Sequence, residues 1–101
     1  NANDSTNELI ISIETEKVKS IKEKNKKNQI TKYNISINAS IQLNFMNNNY
    51  KKTVNLNKSN FYDVNVNHNI TKNNEKNSEK NLIDELSKDI SNEILKIVNE
   101  F

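Results

Sequence analysis

Residues 33–45, YNISINASIQLNF, alternate without a fault. Tyr33, Ile35, Ile37, Ala39, Ile41, Leu43 and Phe45 are apolar, and Asn34, Ser36, Asn38, Ser40, Gln42 and Asn44 are polar. Successive side chains of a strand point to opposite faces, so this stretch reads as one strand with a buried side and a wet side. Extended chain of that length spans about 43 Å. That is long for a globular strand, and a bulge or bend is expected in it.

The neighbouring segments are read against this strand. Upstream, ELIISIETEKV is a strand with Leu9, Ile11 and Ile13 on one side and Ile10 as an extra apolar residue on the other. KSIKEKNKKNQ is charged and lacks an apolar period, so it is expected to be the tip of a long hairpin. Downstream, MNNN suits a turn, because Asn tolerates positive φ where Gly is lacking. The next strand, YKKTVNLNK, moves its apolar residues to even positions: Tyr50, Val54, Leu56. With Phe45 opposite Tyr50, Ile41 falls opposite Val54 and Ala39 opposite Leu56, a self-consistent hairpin register. Lys52 then lands on the apolar side, where its stem must snorkel or the register must break. FYDVNVN is expected to continue the even series through Tyr62, Val64 and Val66.

From about Asn73 the period changes. Leu82, Leu86, Ile90, Ile94 and Val98 recur every four residues, flanked by Ile83, Ile97 and Phe101, with charged residues over most of the rest. This predicts an amphipathic helix with Glu75 and Glu79 near its positive end. The period is not a sustained heptad, which favours packing on the sheet over a coiled coil. The expected fold is α+β: an antiparallel meander of about three strands with a long C-terminal helix on one face. Residues 1–7 are expected to be a disordered polar stub and 8–101 a single domain. One helix about 10 Å wide cannot cover three strands, so a second helix or a partner should cover the rest.

Composition narrows function mainly by exclusion. The chain has no Gly, Pro, Cys or Trp, every basic residue is Lys, and nearly a quarter of its residues are Asn. AT-rich codons specify Asn, Lys and Ile, which points to a low-GC genome. The Asn residues sit inside periodic patterns, unlike a low-complexity tract. Acceptor triplets at Asn3, Asn34, Asn38, Asn57 and Asn69 matter only in a eukaryotic secreted setting. Absence of Cys excludes disulfides, and no apolar run approaches the ~20 residues that span a bilayer. A net charge of +2 without Arg or an aromatic–basic pattern does not suggest nucleic acid. His68 stands alone, no metal-ligand spacing is visible, and no nucleophile or phosphate-loop motif appears. No enzyme activity and no cofactor are expected. The one local concentration of charge is KEKNKK, with Lys22, Lys24, Lys26 and Lys27; Lys51 and Lys52 form a smaller pair.

Taken together, ITKYNISINASIQLNF, a short turn, a second alternating strand, FYDVNVN and the terminal EKNSEKNLIDELSKDISNEILKIVNEF resemble the lipopolysaccharide-assembly lipoproteins of the LptE family. The likeness is to the alphaproteobacterial branch. Tyr33, Tyr62, Val64, Glu75, Glu79, Leu82, Leu86, Ile90 and Ile94 carry it, over about residues 8–101. The resemblance implies a sheet of about four strands with two helices on one face. It places a first strand, a first helix, a signal peptide and a lipid-bearing Cys ahead of residue 8, so the chain is expected to be the C-terminal two-thirds of such a lipoprotein.

The same resemblance implies a non-enzymatic role at the periplasmic side of the outer membrane. There the family plugs the lumen of the LptD β-barrel and helps lipopolysaccharide reach the outer leaflet. It further implies lipopolysaccharide contact through basic residues near the ends of the sheet. By location and charge these are Lys24, Lys26, Lys27, Lys51 and Lys52. Two other classes stay open: another periplasmic lipoprotein or adaptor, such as a cell-wall synthase regulator, and a eukaryotic secreted surface domain.

Overall fold

The computed structural model describes residues 8–47 and 49–100. The stub expected at 1–7 and the flanking Phe101 lie outside the described residues. The elements run β1 (Leu9–Lys24), β2 (Ile30–Phe45), β3 (Tyr50–Asp63) and α1 (His68–Asn99). The strands form one antiparallel sheet in the order β1-β2-β3, and α1 contacts one face of it. This is the α+β meander with a terminal helix that the periodicities predict.

The hairpin register is the expected one: Phe45 pairs with Tyr50, Ile41 with Val54 and Ala39 with Leu56. Asn49 takes φ 53° in the turn between them, the left-handed region that Asn tolerates better than most residues. Lys52 pairs with Leu43 and is only half-exposed, so its stem lies along the apolar side without breaking the ladder.

Three expectations about the strands need correction. The stretch KSIKEK is strand, not loop, because the ladder continues through Lys19 opposite Ile35 and Ile21 opposite Tyr33. Main-chain pairing holds it although its side chains lack an apolar period. The irregularity expected within residues 33–45 lies outside them, near the hairpin tip, where the β1–β2 ladder skips Lys22 on β1 and Thr31 on β2; β2 pairs without a break along β3. On the other side, β3 ends at Asp63, so Val64 and Val66 are not strand residues. Val64 still donates its N–H to Thr31 O at 2.9 Å, but Val66 is fully exposed.

The helix begins at His68, five residues before the change of period expected near Asn73. Asn67 caps it, its side chain accepting from Asn69 N at 2.9 Å, a signal independent of hydrophobic period. Glu75 and Glu79 therefore lie beyond the first turn, which holds no acidic residue. The stripe also turns: each four-residue step overshoots a full turn by about 40°. By the last turn Val98 has rotated out to 38% exposure, and Ile97 takes the buried place at 2%.

The core forms two joined clusters between sheet and helix. Ile35, Ile37, Ala39, Tyr62, Leu82 and Leu86 make one; Ile41, Leu43 and Ile97 make the other. Leu56 and Ile90 pack against both, and Ile94 against the second. α1 packs chiefly on β3 and touches β2 less. Ser78 and Asn74 fasten it there, donating to the carbonyls of Phe61 at 3.4 Å and Asp63 at 3.0 Å. The helix is displaced toward β3, and the helix side of β1 is left bare: Ile11, Ile13 and Ile21 are each more than 40% exposed.

Truncating Leu86 or Ile97 to Ala should cost about 2–5 kcal/mol in urea unfolding, whereas Val98→Ala should cost about 0.5 kcal/mol or less. A larger loss at Val98 than at Ile97 would contradict the rotated stripe.

Candidate functional site

The face of the sheet opposite α1 is built from the even residues of β2 and their cross-strand partners. Asn34, Ser36, Asn38, Ser40, Gln42 and Asn44 run down its middle, and Lys51, Thr53, Asn55, Asn57, Ser59 and Phe61 lie beside them on β3. No described element packs over this face. Its polar groups partly satisfy one another. Ser36 and Ser59 hydroxyls bond at 2.8 Å, and Asn57 Nδ2 donates to Asn38 Oδ1. Such cross-strand pairs stabilise the ladder and leave amide groups free to bond a further surface. A shallow depression of ≈ 630 Å³ crosses the middle of the sheet, lined by Glu14, Glu16, Asn38, Ser40, Asn55 and Asn57 with the intervening row Thr15, Ala39 and Leu56.

The lysines singled out in the sequence fall into two groups at opposite ends of a molecule 69 Å long. Lys24 ends β1, and Lys26 and Lys27 project from the β1–β2 turn. Asn25 shapes that turn, its Oδ1 accepting from Lys27 N at 2.9 Å and Gln29 N at 3.0 Å. Asn28 takes φ 63° in the same turn. Lys51 and Lys52 start β3 at the other end and point to opposite faces, Lys51 sharing the polar face with Asn44 and Lys52 the helix face with Leu43. The structure does not bring the two groups together.

Sequence reasoning missed an aromatic–basic cluster near the tip. Phe61, 45% exposed, lies on the polar face with the ammonium groups of Lys22 and Lys32 over its ring at 5.1 and 5.0 Å. The register that pairs Phe45 with Tyr50 carries on to set Phe61 opposite Asn34, so its place was available from the alternation. On the helix side, Tyr33 stacks on Tyr62 with centroids 5.6 Å apart. Lys19 lies over both rings, 4.4 and 5.7 Å from their centroids.

Between β1 and α1 two ion pairs cross an apolar groove. Lys17 bonds Glu79 at 2.6 Å and Lys19 meets Glu75 at 3.6 Å. The groove beside them, ≈ 360 Å³, is lined by Ile37, Ile83, Leu86 and Ile90. The hydrogen bond and charge of Glu79 hold the Lys17 pKa above its ordinary 10.5. Lys19 is raised first by the Tyr62 hydroxyl, against a lowering by burial, and then by Glu75.

Reactive chemistry is sparse. No group of three or more His, Asp or Glu that could hold a metal occurs among the described residues, and no helix among them is long and apolar enough to cross a membrane. His68 stands in the first turn of α1, exposed. The arrangement offers hydrogen-bonding and charged surfaces for binding. No protein-family model, curated protein or solved structure matches the chain.

A lysine whose pKa is raised on folding contributes stability that is complete below its unfolded value and lost as pH rises through the folded one. The urea-midpoint difference between the wild type and Lys19→Met should therefore stay level from neutral pH to about 10.5 and shrink above it. It should be small throughout, because these pairs are partly exposed. A difference that grows above that pH would contradict the assignment.

Proposed function

We propose that this chain is an outer-membrane assembly lipoprotein of the LptE type. It plugs and assists an LptD-like β-barrel at the periplasmic side of the outer membrane and helps deliver lipopolysaccharide to the outer leaflet. The sequence resemblance is one support, and the structural observation that carries the reading is the uncovered polar face. From Asn34 to Asn44 of β2 it presents amide and hydroxyl side chains, while the apolar side is turned to the helix. The lumen of a membrane barrel is lined by polar residues. The amide and hydroxyl row can hydrogen-bond to such a wall, with Glu14, Glu16 and Lys51 on the flanking strands.

Two further features agree with this reading. The resemblance implies a second helix on the same side as α1, and the bare helix side of β1, with Ile11 and Ile13 exposed, is where a second helix has room. Lipopolysaccharide is rich in phosphate, and the exposed Lys24, Lys26 and Lys27 stand free of ion pairs among the described residues. They and the Lys51–Lys52 pair are the proposed contacts. Each lysine acts as a point charge.

The full-length protein, extracted from its native membrane in mild detergent, should co-purify with a β-barrel partner. Recovery as a lone monomer would contradict the proposal. Changing Lys24, Lys26 and Lys27 together to Glu should lower lipopolysaccharide binding at least tenfold, by charge reversal, without altering the unfolding midpoint by more than a few degrees. Undiminished binding would remove the tip from the site.

A further inference from the structure

The N-terminal end of α1, the loop before it and the Tyr33–Tyr62 pair enclose a pocket of ≈ 370 Å³. Four features of it converge. First, the Tyr62 hydroxyl is buried and has no hydrogen-bond partner, in a residue only 4% exposed. Buried polar groups in native proteins are nearly always paired, and an orphan calls for an account. Second, the Lys19 ammonium lies 5.7 Å from the Tyr62 ring centroid, yet no hydrogen bond joins it to the hydroxyl. An ammonium can only donate, so even a closer approach by Lys19 would leave the phenolic proton without an acceptor.

Third, a second lysine, Lys72, stands in the wall, and it has no ion pair among the described residues. Glu75 is the one acid of the lining, and it is already turned to Lys19 at 3.6 Å. Fourth, the first turn of α1 contains no acidic residue to offset the positive end of its dipole. The loop is held in place beforehand: Thr71 Oγ1 accepts from Asn65 N at 2.7 Å and donates to Asn65 O at 3.1 Å.

We propose that this pocket binds a phosphate group, with the Tyr62 hydroxyl and the Lys19 and Lys72 ammonium groups donating to its oxygens at the N-terminal end of α1. An oxyanion supplies the acceptor that the phenol lacks and neutralises charge that the chain leaves unmatched. The volume accommodates a phosphate monoester. Lys19, with its side chain partly exposed, swings on its four-carbon stem to admit the anion to the hydroxyl. The site is separate from the Lys24–Lys27 turn, and it stands whether or not the chain engages a barrel.

The test is an NMR titration of the chain with inorganic phosphate at constant ionic strength, chloride being the replaced anion. Saturable shifts are expected at the amides of Tyr62 and Lys72. Tyr62→Phe and the exposed Lys72→Gln should each weaken binding at least fivefold, and Lys88→Gln, remote on α1, should leave it unchanged. Tyr62→Phe should leave the unfolding midpoint within a few degrees of the wild type, so lost binding would not reflect lost fold. A second arm compares soluble glycerol phosphate with phosphatidylcholine vesicles containing phosphatidic acid. Binding of the soluble ester assigns the site to a free phosphate. Binding of the vesicles alone, lost in Tyr62→Phe, assigns it to a lipid headgroup. Phosphate affinity equal to chloride, or equal in the wild type and Tyr62→Phe, would overturn the proposal.

Discussion

Burial of the odd-numbered row of β2 beneath α1 is the contact on which the molecule depends. Ile35, Ile37, Ala39, Ile41 and Leu43 are all buried, and nearly everything that covers them comes from Leu82, Leu86, Ile90, Ile94 and Ile97 or from strand neighbours. Each fully buried aliphatic side chain contributes about 1.5–3 kcal/mol, with no disulfide to assist. The strand's period of two then decides the rest. If one face must lie under the helix, every even residue is committed to the other face, and a slip of one residue would exchange them.

The position of the helix follows from its fastening. Ser78 and Asn74 reach the main chain of β3, and Lys17 and Lys19 reach across from β1 only through long side chains. The helix therefore guards the β3 side, and β1 is the open side of the sheet. Its outer positions carry Glu14, Glu16, Lys17 and Lys19. Charges of both signs on an edge strand discourage pairing with a stray strand, so the open edge is compatible with a stable chain.

What could be read beforehand was whatever left a periodic trace. The β2–β3 register came from alternation alone, and the packing of α1 on the sheet from its four-residue stripe. The failures have physical causes. Residues 19–24 form strand because main-chain pairing does not require apolar side chains. The helix start was set by the Asn67 cap, which a stripe of aliphatic residues does not report. Ile97 replaced Val98 because a four-residue spacing drifts around a helix of 3.6 residues per turn. The Tyr62 pocket was illegible for another reason: Lys19, Tyr62 and Lys72 are far apart in the chain, and only the fold brings them together. The two lysine groups were visible as runs of charge, but their separation along the sheet depends on strand direction.

One face is thus buried under the helix and the other left polar and uncovered, and the account stands on which residues lie under the helix. Methyl–methyl nuclear Overhauser contacts in solution test that most directly. Leu82 and Leu86 should show strong contacts to Ile35 and Ile37, and Ile97 to Ile41 and Leu43. Helix methyls that meet only Ile10 or Val18 on the opposite face, or that show no contact to β2, would contradict it.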